Sequence, residues 1–225
     1  MTTRTPRSRA GAEDSALVTR SERKQRTRGA LLDAALQLMS EGRSFTSLGL
    51  REITREAGVV PTSFYRHFRD MDELGLALVE ESGLTLRRML REARKQGRPD
   101  TDMVRRSVEV YKEYVEANRL QFFFISGERH GGSPVIRRAV RNEATHFINE
   151  MAEDIRQLNI APRLSFASLQ MICNLIVSTM MQAATDILDL PANQPQAHRE
   201  LTDFLVKQLR VIFLGAMQWK EKPLV

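Results

Sequence analysis

Residues 48–74 read LGLREITREAGVVPTSFYRHFRDMDEL, and this stretch decides the fold. Leu50, Ile53 and Ala57 recur at helical spacing and mark a short first helix. Gly49 stands at its N-cap with Glu52 three residues on, which is only half a capping box, because glycine has no side chain to accept the N3 amide. Gly58 stops that helix. Pro61 opens the next at its first turn, where a missing N–H costs nothing, with Val60, Phe64 and Phe68 expected on the inner side. A longer helix precedes both. It is expected from Ser21 as N-cap to a stop at Gly42, with Leu31, Ala35 and Leu38 on one stripe and Leu32, Ala35 and Met39 on another. Three helices in this order make a helix-turn-helix.

The chemistry of the second short helix suits a DNA groove. Pro61, Thr62, Ser63 and Arg66 are expected to face outward at its start, where such a helix meets base edges. Small residues allow close approach, and the Thr62 methyl and hydroxyl can both read a base. Tyr65 and His67 are expected on phosphates, which position the helix without reading sequence. Arg28, Arg51 and Arg69 are further expected contacts, to phosphate or, for Arg51, to a base edge. Charge points the same way. Residues 1–70 carry 13 Lys and Arg against 8 Asp and Glu, while the remaining 155 carry 21 against 20. A basic head on a nearly neutral body suits a polyanionic partner. Residues 1–20, with Arg4, Arg7, Arg9 and Arg20, read as a disordered basic arm, either solvated or on phosphate.

The rest of the 225 residues is helical by pattern and shows no strand alternation. A fourth helix is expected from Asp70 to about Lys95, with a break at Gln96–Pro99. Further helices follow at Asp102–Ala117, Leu120–Gly127, Val135–Leu158, Ser165–Leu190 and Ala197–Trp219. The organisation is thus an all-α chain of about nine helices: an arm over 1–20, a helix-turn-helix over 21–70 and a larger helical unit over 71–225. His67, His130, His146 and His198 share no metal-ligand spacing, and no phosphate loop or nucleophile elbow is present, so no enzyme and no bound cofactor are expected. The single cysteine, Cys173, sits in an apolar run and is expected in a core. No uninterrupted apolar stretch approaches the roughly 20 residues of a membrane span. A cytoplasmic protein is the expectation.

Phe45, Arg51-Glu52-Ile53, Ala57-Gly58-Val59, Phe64-Tyr65, His67-Phe68 and Asp72-Glu73-Leu74 together resemble the TetR family of transcription regulators. The run Pro61–Asp70, with Asp72–Leu76 and Glu81–Leu84 after it, looks like the branch that regulates unsaturated fatty acid synthesis, the FabR-like and DesT-like proteins. The resemblance is strong up to Arg91 and weaker to Trp219. The chain departs from the broad family pattern at Gly49, Val60, Thr62 and Met71; many members carry a phosphate-binding Lys at the last.

The resemblance implies a ligand-responsive repressor that binds palindromic operator DNA and senses a small hydrophobic effector, by this branch a long-chain acyl-CoA. Phe122, Phe123, Phe124, Phe147, Met151, Met171 and Asn174 are then expected as a group to line an acyl tunnel, while any one of them taken singly reads first as ordinary core. Arg129, Arg137 and Arg141 form either a solvated face or a seat for the coenzyme A phosphates. The last two helices carry apolar stripes, Ile172, Leu175 and Thr179 on one, Leu201, Phe204, Leu205, Gln208 and Ile212 on the other. These are expected to pair across a two-fold axis into a four-helix homodimer interface, unless they pack within one chain. Two other readings remain: a regulator of this type sensing an unrelated hydrophobic compound, and a helical lipid-binding protein or enzyme with no DNA role.

Overall fold

Helices account for most of the described residues. The computed structural model describes residues 10–40, 42–96 and 101–220. Among them α1 (Ala10–Ser40), α2 (Leu50–Glu56) and α3 (Pro61–Phe64) form the head, and α4 (Met71–Gln96) leads from it into the body. The body is completed by α5 (Thr101–Ala117), α6 (Arg119–Glu128), α7 (Pro134–Gln157), α8 (Phe166–Asp189) and α9 (Pro195–Gln218). The all-helical architecture and the order of its elements are those expected from periodicity.

Local chemistry sets the boundaries. Gly58 turns the chain between α2 and α3 at a φ of 66°, a left-handed conformation that an L side chain rarely adopts. Asp70 caps α4 by accepting the Glu73 N–H at 2.9 Å, and Glu73 reaches back to the Arg69 N–H at 2.6 Å. Ser133 and Ser165 cap α7 and α8 by accepting the amides of Ile136 and Ser168.

Three expectations change. α1 begins at Ala10, so residues 10–20 are helical where a disordered arm was expected, and Ser21 lies inside the helix. Ala12, Glu13, Ala16 and Leu17 favour helix, and no proline interrupts them. Residues 1–9, with Arg4, Arg7 and Arg9, lie outside the described residues. Val60 is the N-cap of α3 and is 62% exposed; only Phe64 and Phe68 face inward. Third, α8 is long and apolar enough to cross a membrane by length and composition. Half of that stretch is buried, against α5, α7 and α9, so it serves as a core helix.

Two apolar cores form. One gathers Leu31, Ala35, Ile53, Phe64, Phe68 and Leu74 of the head and extends through Phe124 of α6 and Ile136 of α7. The other fills the body around Val108, Val115, Cys173, Ile176, Ile187 and Leu205. α7 lies against both α4 and α8, and α9 against α5 and α8. Head and body therefore share packing at one end of α6 and α7.

Candidate nucleic-acid interface and apolar pocket

α3 is short and held from beneath. Phe64 is fully buried and Phe68 nearly so, and Phe68 N–H donates to the Phe64 carbonyl at 2.9 Å. The Val59 N–H donates to the Thr54 carbonyl at 2.9 Å and closes the turn after α2. Over this base Pro61, Thr62, Tyr65 and Arg66 are exposed, and Ser63 is half-buried. Arg51 of α2 and Arg69 are exposed as well. The residues expected at a DNA groove are thus available on a rigid platform.

Two of them are placed otherwise than a free contact would be. Arg28 is ion-paired with Glu81 of α4, and its guanidinium lies 5.5 Å from the Phe68 ring centre. It ties α1 to α4. His67 is half-buried, and burial, with Lys24, Arg28 and Arg66 nearby, holds its imidazole below the ordinary value. It is therefore neutral at pH 7, able to donate a hydrogen bond to an anion without carrying charge. Glu52, held low by its hydrogen bonds from Arg43 and Gly49, fixes the start of α2; it accepts the Gly49 N–H at 2.9 Å and Arg43 at 3.1 Å.

The body encloses a cavity of about 160 Å³ between α4, α5, α6, α7, α8 and α9. Its wall is almost wholly apolar: Leu86 and Leu90 of α4, Val104 and Val108 of α5, Ile125 of α6, Ile176 and Met180 of α8, Leu209 and Phe213 of α9. Tyr111 turns its hydroxyl away, donating to the Met180 carbonyl at 2.8 Å, and burial pushes that phenol up. One ion pair interrupts the wall. Arg87 of α4 meets Glu143 and Glu150 of α7, and Arg91 continues the ladder to Glu150 and Asp154. Gly83 makes room for it, since a Cβ there would collide with the Glu143 side chain.

Of the expected pocket residues, Phe122, Phe147 and Met151 line this cavity. Phe122 is fixed edge-on by Tyr111 and Tyr114, at 5.9 and 5.7 Å. The others lie elsewhere. Phe124 packs edge-on against Phe45 in the head core at 5.4 Å. Phe123 is 43% exposed, with the Arg119 guanidinium 5.8 Å from its ring. Consecutive residues of a helix point about 100° apart, so three phenylalanines in a row must face three surroundings. Met171 and Asn174 are exposed on the outer side of α8. Arg129, Arg137 and Arg141 do not line the cavity; Arg137 donates instead to the Gly131 carbonyl. A cation in the wall, Arg87, was missed, because an arginine in an amphipathic helix reads as solvent-facing; Leu86 and Leu90 beside it were the available signal.

The expected dimer stripes divide in two. Ile172 and Leu205 are buried in the chain's own core, and Leu201 and Ile212 pack against it. Leu175 and Phe204 are 51% and 56% exposed, with Thr179 and Gln208 half-buried beside them. The apolar face left open is one stripe over: Phe204, Val211, Leu214 and Met217 on α9, and Met171 and Leu175 on α8.

Comparison with known proteins agrees with this layout. Residues 31–78 match the sequence model described as bacterial regulatory proteins, tetR family, and residues 100–210 match the tetracyclin repressor-like C-terminal domain. Among solved structures, the chain is similar to a tetR family transcription regulator from Shewanella sp. PV-4, with 25% identity, 80% of this chain and 95% of that one covered, and a TM-score of 0.62. It shares its fold with the fatty acid degradation regulator FadR of Bacillus halodurans, at 16% identity, 86% and 97% coverage and a TM-score of 0.64. The same holds for FadR of Bacillus subtilis in complex with stearoyl-CoA, at 14% identity, 80% and 96% coverage and 0.58. The two family models together span more than two thirds of the chain, on the helix-turn-helix head and on the pocketed body, and the protein belongs to the TetR family of DNA-binding transcription regulators.

Proposed function

We propose that this regulator is a homodimeric repressor that grips a palindromic operator with α2 and α3 and answers to a long-chain acyl-CoA held in its body, controlling genes of fatty acid biosynthesis or desaturation. The observation that carries the reading is the cavity. A wall of apolar side chains from six helices, with one ion pair, suits a long flexible chain with a single polar end. Support comes also from the stearoyl-CoA complex of a protein with the same fold and from the resemblance of residues 61–84 to regulators of unsaturated fatty acid synthesis. Arg129, Arg137 and Arg141 lie off the cavity, whose one charged feature is the Arg87–Glu143 pair.

The experiment is a titration of palmitoyl-CoA and oleoyl-CoA into the protein–operator complex, followed by fluorescence anisotropy. The two chains differ in shape, so a fixed wall distinguishes them, and operator affinity is expected to respond unequally. No response to either, with a response to an unrelated hydrophobic compound, overturns the acyl-CoA reading and leaves the DNA-binding one intact.

On the operator, Thr62 and Ser63 face bases while Tyr65, His67 and Arg69 face phosphates. Thr62→Ala is expected to cost about 1–3 kcal/mol on operator and little on random DNA. Tyr65→Phe is expected to weaken both alike, because a phosphate contact carries no sequence information. Competition binding against random duplex checks the pair; equal losses for Thr62→Ala on both duplexes refute its assignment.

A further inference from the structure

The cavity wall carries charge at one place, and that charge is already matched. Among the described residues only Arg87 of α4 and Glu143 of α7 line it with charged side chains, and the two are ion-paired with each other. Their side chains are 13% and 23% exposed. Arg87 also lies 3.6 Å from the Glu150 carboxylate, and Arg91 meets Glu150 at 3.4 Å and Asp154 at 3.6 Å. Three carboxylates thus face two guanidiniums along the seam between α4 and α7, an excess of one formal negative charge. His146 stands exposed, 4.0 Å from the second Glu143 oxygen.

The fold keeps room for this acid: a Cβ on Gly83 of α4 would collide with the Glu143 side chain. The other polar groups of the wall include the uncharged hydroxyls of Ser82 and Tyr111, which donate to the Leu78 and Met180 carbonyls at 2.8 Å each. Ser107 of α5 adds a third hydroxyl. This arrangement decides which chain ends the cavity accepts. A carboxylate that arrives at Arg87 must either displace Glu143 or lie beside it. In the first case Glu143 is left unpaired in an apolar wall. In the second, like charges crowd one guanidinium. Both are unfavourable where water is scarce. An ester or thioester carbonyl carries no charge and disturbs neither partner. It needs only a donor, which a hydroxyl or an N–H supplies.

We propose that Glu143 is a specificity residue: by occupying Arg87 it turns the cavity against free fatty acids and towards chains whose polar end is uncharged, an ester or a thioester. The assignment rests on the reading that the effector enters this cavity.

The test is displacement of the neutral fluorescent probe N-phenyl-1-naphthylamine from the full-length protein by laurate, methyl laurate and lauroyl-CoA. The acyl chain is the same in all three, so apolar burial cancels. Any dry cavity prefers the ester to the ionised acid, and a variant isolates the share of Glu143. Glu143→Gln keeps the shape and an acceptor for Arg87 while removing the charge. It is expected to raise laurate affinity about tenfold or more, the scale on which one neighbouring like charge acts. Methyl laurate and lauroyl-CoA are expected to stay within about twofold, having no charge at that end for the change to act on. Arg87→Met combined with Glu143→Gln is expected to abolish the laurate gain. Gly83→Ala pushes the Glu143 side chain aside without removing it and is expected to favour laurate in the same sense, which keeps the test open should the glutamine variant fail to fold. Three results overturn the proposal: equal changes for laurate and its ester, a laurate gain that survives the loss of Arg87, or a lauroyl-CoA response that follows laurate. If none of the three compounds displaces the probe, the acyl-chain reading fails. The exclusion of anions is then decided by the probe against its sulfonated counterpart, 1-anilinonaphthalene-8-sulfonate: a selective gain for the sulfonate in Glu143→Gln supports it, and no gain overturns it.

Discussion

Replacing both Val211 and Leu214 by Glu is expected to leave the protein monomeric and to lower its operator affinity by about 100-fold or more. Both side chains are 68% exposed on α9, beside Phe204 and Met217, and such a continuous apolar face on two neighbouring helices is what a symmetric partner covers. Two carboxylates there would be desolvated on association, each one left unpaired costing on the order of several kcal/mol. A monomer then reads one half-site. Joining two half-site contacts on one dimer is worth about 10²–10⁴ in avidity, and that factor is what the variant loses. Sedimentation and operator anisotropy measure the two effects separately. Trp219, the single tryptophan, caps the end of α9 and is 51% exposed, so a change in its emission on dimerisation reports its burial. Leu205→Ala is the contrast: Leu205 is 2% exposed inside the chain, so about 2–5 kcal/mol of stability is lost while the dimer face is untouched. A Val211/Leu214 variant that stays dimeric by sedimentation moves the interface elsewhere.

That contrast also shows where the sequence stops being readable. Pro61, Gly58, Asp70 and Gly49 are punctuation with local causes, and the helices they bound lie where those causes put them. The body helices start within two residues of the positions their periodicity predicts. Direction is harder. α9 carries two adjacent apolar stripes, Leu201–Leu205–Ile212 and Phe204–Val211–Leu214, and only tertiary packing tells which faces inward. The same holds for Phe122, Phe123 and Phe124, which point to the cavity, to solvent and to the head core. Arg87 and Glu128 escape a reading of composition for the opposite reason. Charged residues are expected in water, yet Glu128 is 2% exposed, and Arg87 is held inside by partners from a different helix, Glu143 and Glu150 of α7.

Acyl-CoA affinity is expected to climb steeply with chain length and then to stop where the cavity ends. Each buried CH₂ contributes about 0.8 kcal/mol before ordering costs, so six further methylenes between decanoyl-CoA and palmitoyl-CoA amount to roughly 5 kcal/mol at most. That is an upper limit near three to four powers of ten in affinity, reduced by the rotational freedom the chain gives up. The cavity of about 160 Å³ has room for on the order of ten water molecules, which is enough for a chain but not for unlimited length. Met180→Trp is the sharper form of the same expectation. Met180 lines the cavity and is 9% exposed, and its carbonyl, not its side chain, accepts the Tyr111 hydroxyl, so the substitution fills space without removing that bond. Filling it should move the optimum to shorter chains, with palmitoyl-CoA losing affinity while decanoyl-CoA holds or gains. Operator affinity without ligand should stay near that of the parent protein, since Met180 lies in the body core, away from α3. Isothermal titration across the series from C8 to C18 measures the slope. A flat series in the parent protein, or a Met180→Trp variant with the parent's optimum, removes the acyl chain from this cavity.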